Sequence, residues 1–163
     1  MSKLIVIMGV SGCGKTSVGI ALADCMSLPF YDADDYHPTD NIKKMQAGIP
    51  LEDRDRITWL ERLNCLCKGH LESGLVLACS ALKQSYRDIL SKEVQIKWVY
   101  IKGSFELISK RLAARSDHFM PVSLLQSQFD TLEEPIAAIE ITVDQSIESM
   151  VSQLKDQRSE EHT

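Results

Sequence analysis

Apolar positions along this chain fall into two alternating kinds of run. Five are short, continuous and rich in β-branched residues, at about 3–8, 29–32, 75–79, 96–101 and 139–143. Runs of that length without polar interruption read as strands buried on both faces, the form found in parallel sheets. Between them apolar residues recur at helical spacing. Ser17 to Met26 carries Val18, Ala21, Leu22 and Cys25 on one face. Ile57, Leu60, Leu63, Leu66 and Cys67 mark a second helix, which opens at the charged run Glu52 to Arg56 and turns Trp59 and Leu60 inward. Phe105, Ile108 and Leu112 give a third face, and Ile147, Met150, Val151 and Leu154 a fourth. Strands alternating with helices through mostly short connections predict an α/β fold, a parallel five-stranded sheet flanked by helices. Periodicity leaves the strand order open. One domain over residues 1–157 is expected, with a polar, frayed tail at 158–163.

Composition narrows the partners. The chain is 44% hydrophobic and 25% charged, as in ordinary globular proteins. Its net charge of −5 and lack of a basic stripe exclude the phosphate contacts that nucleic-acid binding requires. No apolar stretch approaches the roughly 18 residues of a membrane span. The first strand begins almost at Met1, leaving no room for a cleavable leader, so a cytoplasmic location is expected. The five cysteines are odd in number and follow no zinc-ligand spacing, which points to reduced, partly buried thiols. Cys13, close to a helix N-terminus, is expected to favour the thiolate.

The first candidate chemistry lies between the first strand and the first helix. Gly9-Val10-Ser11-Gly12-Cys13-Gly14-Lys15-Thr16 matches G-x-x-x-x-G-K-[ST], a loop whose backbone N–H groups cradle phosphates. Glycines let the chain curl, the helix N-terminus adds positive potential, Lys15 can reach the β- and γ-phosphates, and the Thr16 hydroxyl can ligate Mg²⁺. ATP and Mg²⁺ are the implied cofactors.

A second constellation follows the second strand, in Phe30-Tyr31-Asp32-Ala33-Asp34-Asp35-Tyr36-His37-Pro38. If strand geometry persists, Asp32 and Asp34 point to the same side at the sheet's carboxyl end, where ligands of open α/β sheets bind. One could hold the metal and the other accept a proton from an attacking hydroxyl; a solvated acidic turn is the plainer alternative. Arginine in the run Glu52 to Arg56 is either a surface ion or a clamp for an anionic substrate. After the third strand, small residues around Ser80 permit close backbone approach, and Lys83 or Arg87 could reach an acid group or stand as surface cations. A third constellation, a lid at about 112–125, brings Arg111 and Arg115 onto one helical face four residues apart, able to close over a nucleotide. A solvated pair is again the alternative. His118 is either a lid contact or a helix cap.

Together these segments resemble the gluconokinases, the ATP-dependent gluconate kinases. The resemblance is carried by MGVSGCGKTSVG, FYDADDYHP, the run N-I-K-K-M-x-x-G-I-P-L-x-D-x-D-R-I-x-W-L, LACSALKxxYRDIL, KGSFELISKRLAAR, DHFMPxxLLxSQFDTLEEP and a final TVD, from residue 4 to about 144. It implies a three-layer P-loop kinase fold like those of shikimate and adenylate kinases, with a small lid. It implies transfer of the ATP γ-phosphoryl to O6 of D-gluconate, giving 6-phospho-D-gluconate and ADP, usually by a homodimer. Carried onto this chain, Gly9 to Thr16 would hold the phosphates, with Lys15 and Arg115 acting on the transferring group. Asp34 would be the base and Asp32 would lie near the metal. His37, Arg56, Ser80 and Lys83 would line the sugar-acid pocket. Arg111 would lie against adenine and Arg115 against phosphates. The rivals are a kinase of another small polyol or acid, shikimate among them, and a nucleotide-dependent switch protein. Shikimate kinases carry a glycine-rich turn where this chain has Cys79-Ser80-Ala81.

Overall fold

The computed structural model describes residues 3–114 and 122–160. Five strands, β1 (Leu4–Met8), β2 (Phe30–Asp32), β3 (Leu75–Ala78), β4 (Lys97–Lys102) and β5 (Ile139–Thr142), form one parallel sheet in the order β2-β3-β1-β4-β5. Among the described residues seven α-helices connect or follow them: α1 (Lys15–Met26), α2 (Thr39–Gln46), α3 (Asp53–Lys68), α4 (Gln84–Leu90), α5 (Phe105–Ala113), α6 (Val122–Thr131) and α7 (Ile147–Glu160). The five strands lie within a residue or two of the sequence-based ranges. No helix among the described residues is long and apolar enough to cross a membrane.

Alternation of side chains along each strand divides the core in two. Ile5, Ile7, Val76, Val99, Ile101 and Ile141 face one side, where they pack with Val18 and Leu22 of α1, Ile108 of α5, Leu125 of α6 and Met150, Val151 and Leu154 of α7. Leu4, Val6, Met8, Leu75, Leu77 and Tyr100 face the other, against Trp59, Leu60, Leu63 and Cys67 of α3 and Tyr86 and Leu90 of α4. All of β1 is therefore buried, which is why it reads as an unbroken apolar run. Because β1 sits between β3 and β4, the chain's crossovers diverge from it, and the loop at its carboxyl end occupies the switch point of the sheet.

Several helical details differ from the periodicity. Helix α1 starts at Lys15, two residues early, and buries Gly19 and Ala23 beside Val18 and Leu22, while Cys25 is exposed. Ile57 and Ile147 are 43% and 42% exposed, so neither belongs to its helix's core face. In α3 the inner face is rotated and includes Asn64, whose amide donates to the carbonyls of Leu90 and Lys92 at 2.8 and 2.9 Å. A buried polar residue satisfied in this way is invisible to a count of apolar positions. Helix α2 has little apolar content and escaped the same count. Its cues are Pro38 just before it, Asp40 in its first turn and Lys43 and Lys44 in its last.

Candidate active site

The phosphate loop is built by exclusion. Gly9 has φ +148°, and a Cβ there would lie 2.9 Å from both the Cys13 Sγ and the Ile101 carbonyl oxygen. Gly14 caps α1 at φ 95°, a left-handed conformation costly for any residue with a side chain. The Gly9 N–H donates to the Ser80 carbonyl at 3.3 Å, tying the loop to the segment after β3. Lys15 Nζ donates to the Val10 carbonyl at 3.1 Å, and Thr16 is exposed in the first turn of α1. The tip of the loop is held from outside: the Ser11 N–H donates to Gln128 Oε1 at 2.7 Å, and Gln128 Nε2 donates to Ser11 Oγ at 3.0 Å. Cys13 does not favour the thiolate. It is fully buried, and that burial raises its thiol against the opposing pull of Lys15, of backbone donors and of Arg111. Proximity to a helix terminus is outweighed by loss of water around the sulfur.

Strand β2 stops at Asp32, so strand geometry does not persist to Asp34. Asp32 caps a short 3₁₀ turn, Ala33–Tyr36, its Oδ1 accepting from the Asp34 N–H at 3.0 Å. The two carboxylates are thus placed by a turn rather than by a shared strand face. Solvent reaches Asp34, yet the protein around its carboxyl raises it above the usual carboxylate range. The nearby charge of Asp32 adds to this, Lys15 pulls in the opposite direction, and Asp35 adds further. The charge of the phosphate-loop lysine therefore reaches the Asp34 carboxyl.

His37 is buried and stacks on Trp59, whose indole N–H donates to the Ala33 carbonyl at 2.6 Å. Asn41, also buried, uses its Nδ2 twice: toward the Asp55 carbonyl at 2.8 Å and toward His37 Nδ1 at 3.3 Å. Since a carbonyl only accepts, the amide orientation is fixed, His37 Nδ1 accepts, and the ring proton resides on Nε2. Burial first and Arg56 second lower the imidazole to about 4, so it is neutral near pH 7.

A cluster of charge completes the neighbourhood. Arg56 donates to the Leu51 carbonyl at 2.7 Å and to Tyr86 Oη at 3.4 Å. The Arg56 guanidinium and Lys83 Nζ lie 5.4 and 5.6 Å from the Tyr86 ring centroid. Asp53 accepts from Tyr86 Oη at 2.5 Å and from Lys83 Nζ at 3.1 Å. Those hydrogen bonds, from Tyr86 and then Lys83, hold the Asp53 carboxyl below its usual range, while bonding to Asp53 raises Lys83. Arg54, by contrast, points outward to Glu52. Arg87 is neither a surface cation nor a substrate contact: it is 2% exposed and donates to the carbonyls of Ala81 and Glu133 at 2.7 and 2.8 Å. It thereby holds Ala81 at φ 43°, a strained position for a residue with a Cβ.

Arg111 lies farther along the sheet edge, donating to the Val143 carbonyl beside a cavity of about 380 Å³ beyond the ends of β4 and β5. Arg115 and His118 fall outside the described residues, as does half of the expected lid. Asp32 with its second oxygen, and the Thr16 hydroxyl, are hard oxygen donors at one end of the sheet. No group of three or more His, Cys, Asp or Glu suited to a metal occurs among the described residues. Oxygen donors of this kind suit a Mg²⁺ ion that keeps waters and phosphates as its remaining ligands. Asn41, Asp53, Tyr86 and Gln128 were missed by sequence reasoning. Each is an ordinary polar residue whose role depends on a partner brought to it by the fold, although all four lie inside the motifs that carry the resemblance.

The chain matches known proteins over nearly its whole length. A family model described as shikimate kinase matches residues 11–162. A probable gluconokinase of Xenopus tropicalis is 45% identical, over 93% of this chain and 91% of that protein. The thermosensitive gluconokinase of Escherichia coli K12 is 49% identical, over 81% and 72%. The crystal structure of a gluconokinase from Sinorhizobium meliloti 1021 superposes with a TM-score of 0.83 at 37% identity, covering 98% of this chain and 97% of that one.

Proposed function

We propose, from the premise that this chain belongs to the gluconokinase family of shikimate kinase-like P-loop kinases, a division of labour among its residues in phosphorylating gluconate. The activity is that of an ATP-dependent gluconate kinase, a sugar-acid phosphotransferase. The observation that supports the residue assignment is that the Asp34 carboxyl, raised by its surroundings, stands at the carboxyl end of the sheet within reach of the Lys15 charge from the phosphate loop.

In this reading the amides from Gly9 to Thr16 cradle the triphosphate of ATP, and Lys15 exchanges the Val10 carbonyl for β- and γ-phosphate oxygens. Asp34 holds the O6 hydroxyl of D-gluconate in line and accepts its proton as the phosphoryl group arrives. Its raised carboxyl is a better proton acceptor than an ordinary aspartate. Neutral His37 presents Nε2–H as a donor to a sugar hydroxyl. Arg56 and Lys83 receive the gluconate carboxylate, which competes with Asp53 for Lys83, and Ser80 offers a hydroxyl beside them. Such a site rejects acceptors lacking a matching hydroxyl, because its buried polar groups would then go unpaired. Thr16 and Asp32 would hold Mg²⁺, which when bound neutralises charge on the β- and γ-phosphates. Arg111, anchored beside the cavity, takes adenine, and Arg115 is assigned to the phosphates. The reading extends to a homodimer acting in the cytoplasm as a single catalytic domain over residues 1–157.

The test is ADP release from Mg-ATP with D-gluconate, shikimate, other aldonates or no acceptor. Turnover with gluconate at least tenfold above the others is expected. Equal rates without acceptor would overturn the reading in favour of a nucleotide-dependent switch.

A further inference from the structure

We propose that Gln128 is the positioning residue of the phosphate loop, fixing the tip of that loop from helix α6 and thereby aiming the remaining amides at the nucleotide. Ser11 and Gln128 are 117 residues apart in sequence and share two hydrogen bonds, at 2.7 and 3.0 Å. A primary amide suits this pair: its oxygen accepts from the Ser11 N–H, and its nitrogen donates to the hydroxyl. It also brings no charge next to a site for a triphosphate. A carboxylate of the same size could accept both bonds but would repel the ligand.

Helix α6 is a firm base for such a contact. Leu125 is buried in the core, and the Phe129 ring meets Phe105 of α5 edge-on at 5.7 Å. Just beyond the helix, the Glu133 N–H donates to the Leu82 carbonyl at 2.8 Å, and Glu133 Oε1 accepts from the Gln84 N–H at 2.9 Å. Buried Arg87 closes the same junction through the Glu133 carbonyl. The stretch from Gln128 to Glu133 therefore spans from the tip of the phosphate loop to the segment carrying Ser80 and Lys83. Gln128 acts on the nucleotide end of this strut, and the acceptor end keeps its own anchor at Glu133. Loss of Gln128 leaves the Ser11 amide without its partner and frees the tip. Misplacement of a reacting group by about 1 Å can cost on the order of a hundredfold in rate.

The inference rests on the phosphate-loop kinase reading, which wild-type turnover in the same assay tests separately. Gln128→Met, which keeps length and helix propensity but removes both bonds, is expected to raise the KM for ATP and lower kcat by roughly tenfold or more. The KM for gluconate should stay within twofold and the melting temperature close to wild type. Gln128→Glu should raise the KM for ATP further than Gln128→Met does. Combining Ser11→Ala with Gln128→Met should add little to the worse single variant. An unchanged kcat and KM for ATP in Gln128→Met, or losses that multiply independently in the double variant, would overturn the proposal. Should Gln128→Met melt early, Gln128→Glu decides, because an unaltered KM for ATP there is equally fatal.

Discussion

His37 lies flat on Trp59, ring centroids 4.2 Å apart and planes 14° from parallel, while Asn41 addresses its Nδ1. Burial and the nearby Arg56 charge favour the neutral ring, which the Asn41 amide at Nδ1 also requires, and this gives the protein an acid-sensitive element. The imidazole drops from 6.5 unfolded to about 4 folded. Between those values the unfolded chain binds a proton that the folded one refuses. Stability from this group is therefore complete above the unfolded value and is lost as pH falls towards 4. The whole loss amounts to up to about 3 kcal/mol. Thermal melts of wild type against His37→Asn, from pH 7.5 down to 4.5, should show a steeper decline in wild type. Parallel curves would refute the assignment.

Asp34→Ala is expected to lower kcat by on the order of a hundredfold while leaving ATP affinity nearly intact. The pH profile adds a sharper test. A base must be ionised, so activity falls as pH drops through the raised value of Asp34. Asp32→Asn removes a neighbouring negative charge that contributes to that rise. The acid limb of kcat/KM should consequently move to lower pH, whatever happens to the plateau. An acid limb that stays in place would separate the proton acceptor from Asp34.

Tyr86 joins the two cations to Asp53, so Tyr86→Phe keeps the ring beneath Arg56 and Lys83 but deletes the hydroxyl that Asp53 and Arg56 share. The expected result is a rise of several-fold in the gluconate KM, at roughly 1 kcal/mol for a lost polar contact, with the ATP KM unchanged. Steady-state kinetics with each substrate varied in turn distinguishes this from a general loss of fold.

Arg87→Met should destabilise the fold by about 3 kcal/mol, since the Ala81 and Glu133 carbonyls both lose a charged donor inside the protein. Urea unfolding measures it. A change below about 0.5 kcal/mol, the range of ordinary surface substitutions, would mean that water replaces the guanidinium without penalty.

Thiol reagents offer a check on burial. Cys25 and Cys65 are exposed, whereas Cys13, Cys67 and Cys79 are buried, the last two with thiols pushed up to about 11 and about 12. Brief alkylation of the native protein followed by mass spectrometry should label Cys25 and Cys65 first. Early labelling of Cys13 would restore the reactive-thiolate expectation that its surroundings now oppose.

The five strands and the phosphate loop could be read from the amino acids alone. A strand buried on both faces must be continuously apolar, and a loop of left-handed turns must be rich in glycine, so in both cases local chemistry leaves a local mark. The run from Phe30 to Pro38 announced its carboxylates but not their arrangement, because a 3₁₀ turn stabilised by the Asp32 side chain leaves the same letters as an extended strand. What the folded chain alone decided are relations between residues far apart. Examples are the strand order around β1, Asp55 fixing the amide of Asn41 that sets the proton on His37, Arg87 withdrawn from solvent to meet Glu133 across 46 positions, and Gln128 meeting Ser11 across 117 positions. Periodicity records which side of an element avoids water. It holds no record of which polar group satisfies another, because hydrogen-bond partners are chosen by three-dimensional proximity and by the cost of leaving a buried donor or acceptor alone.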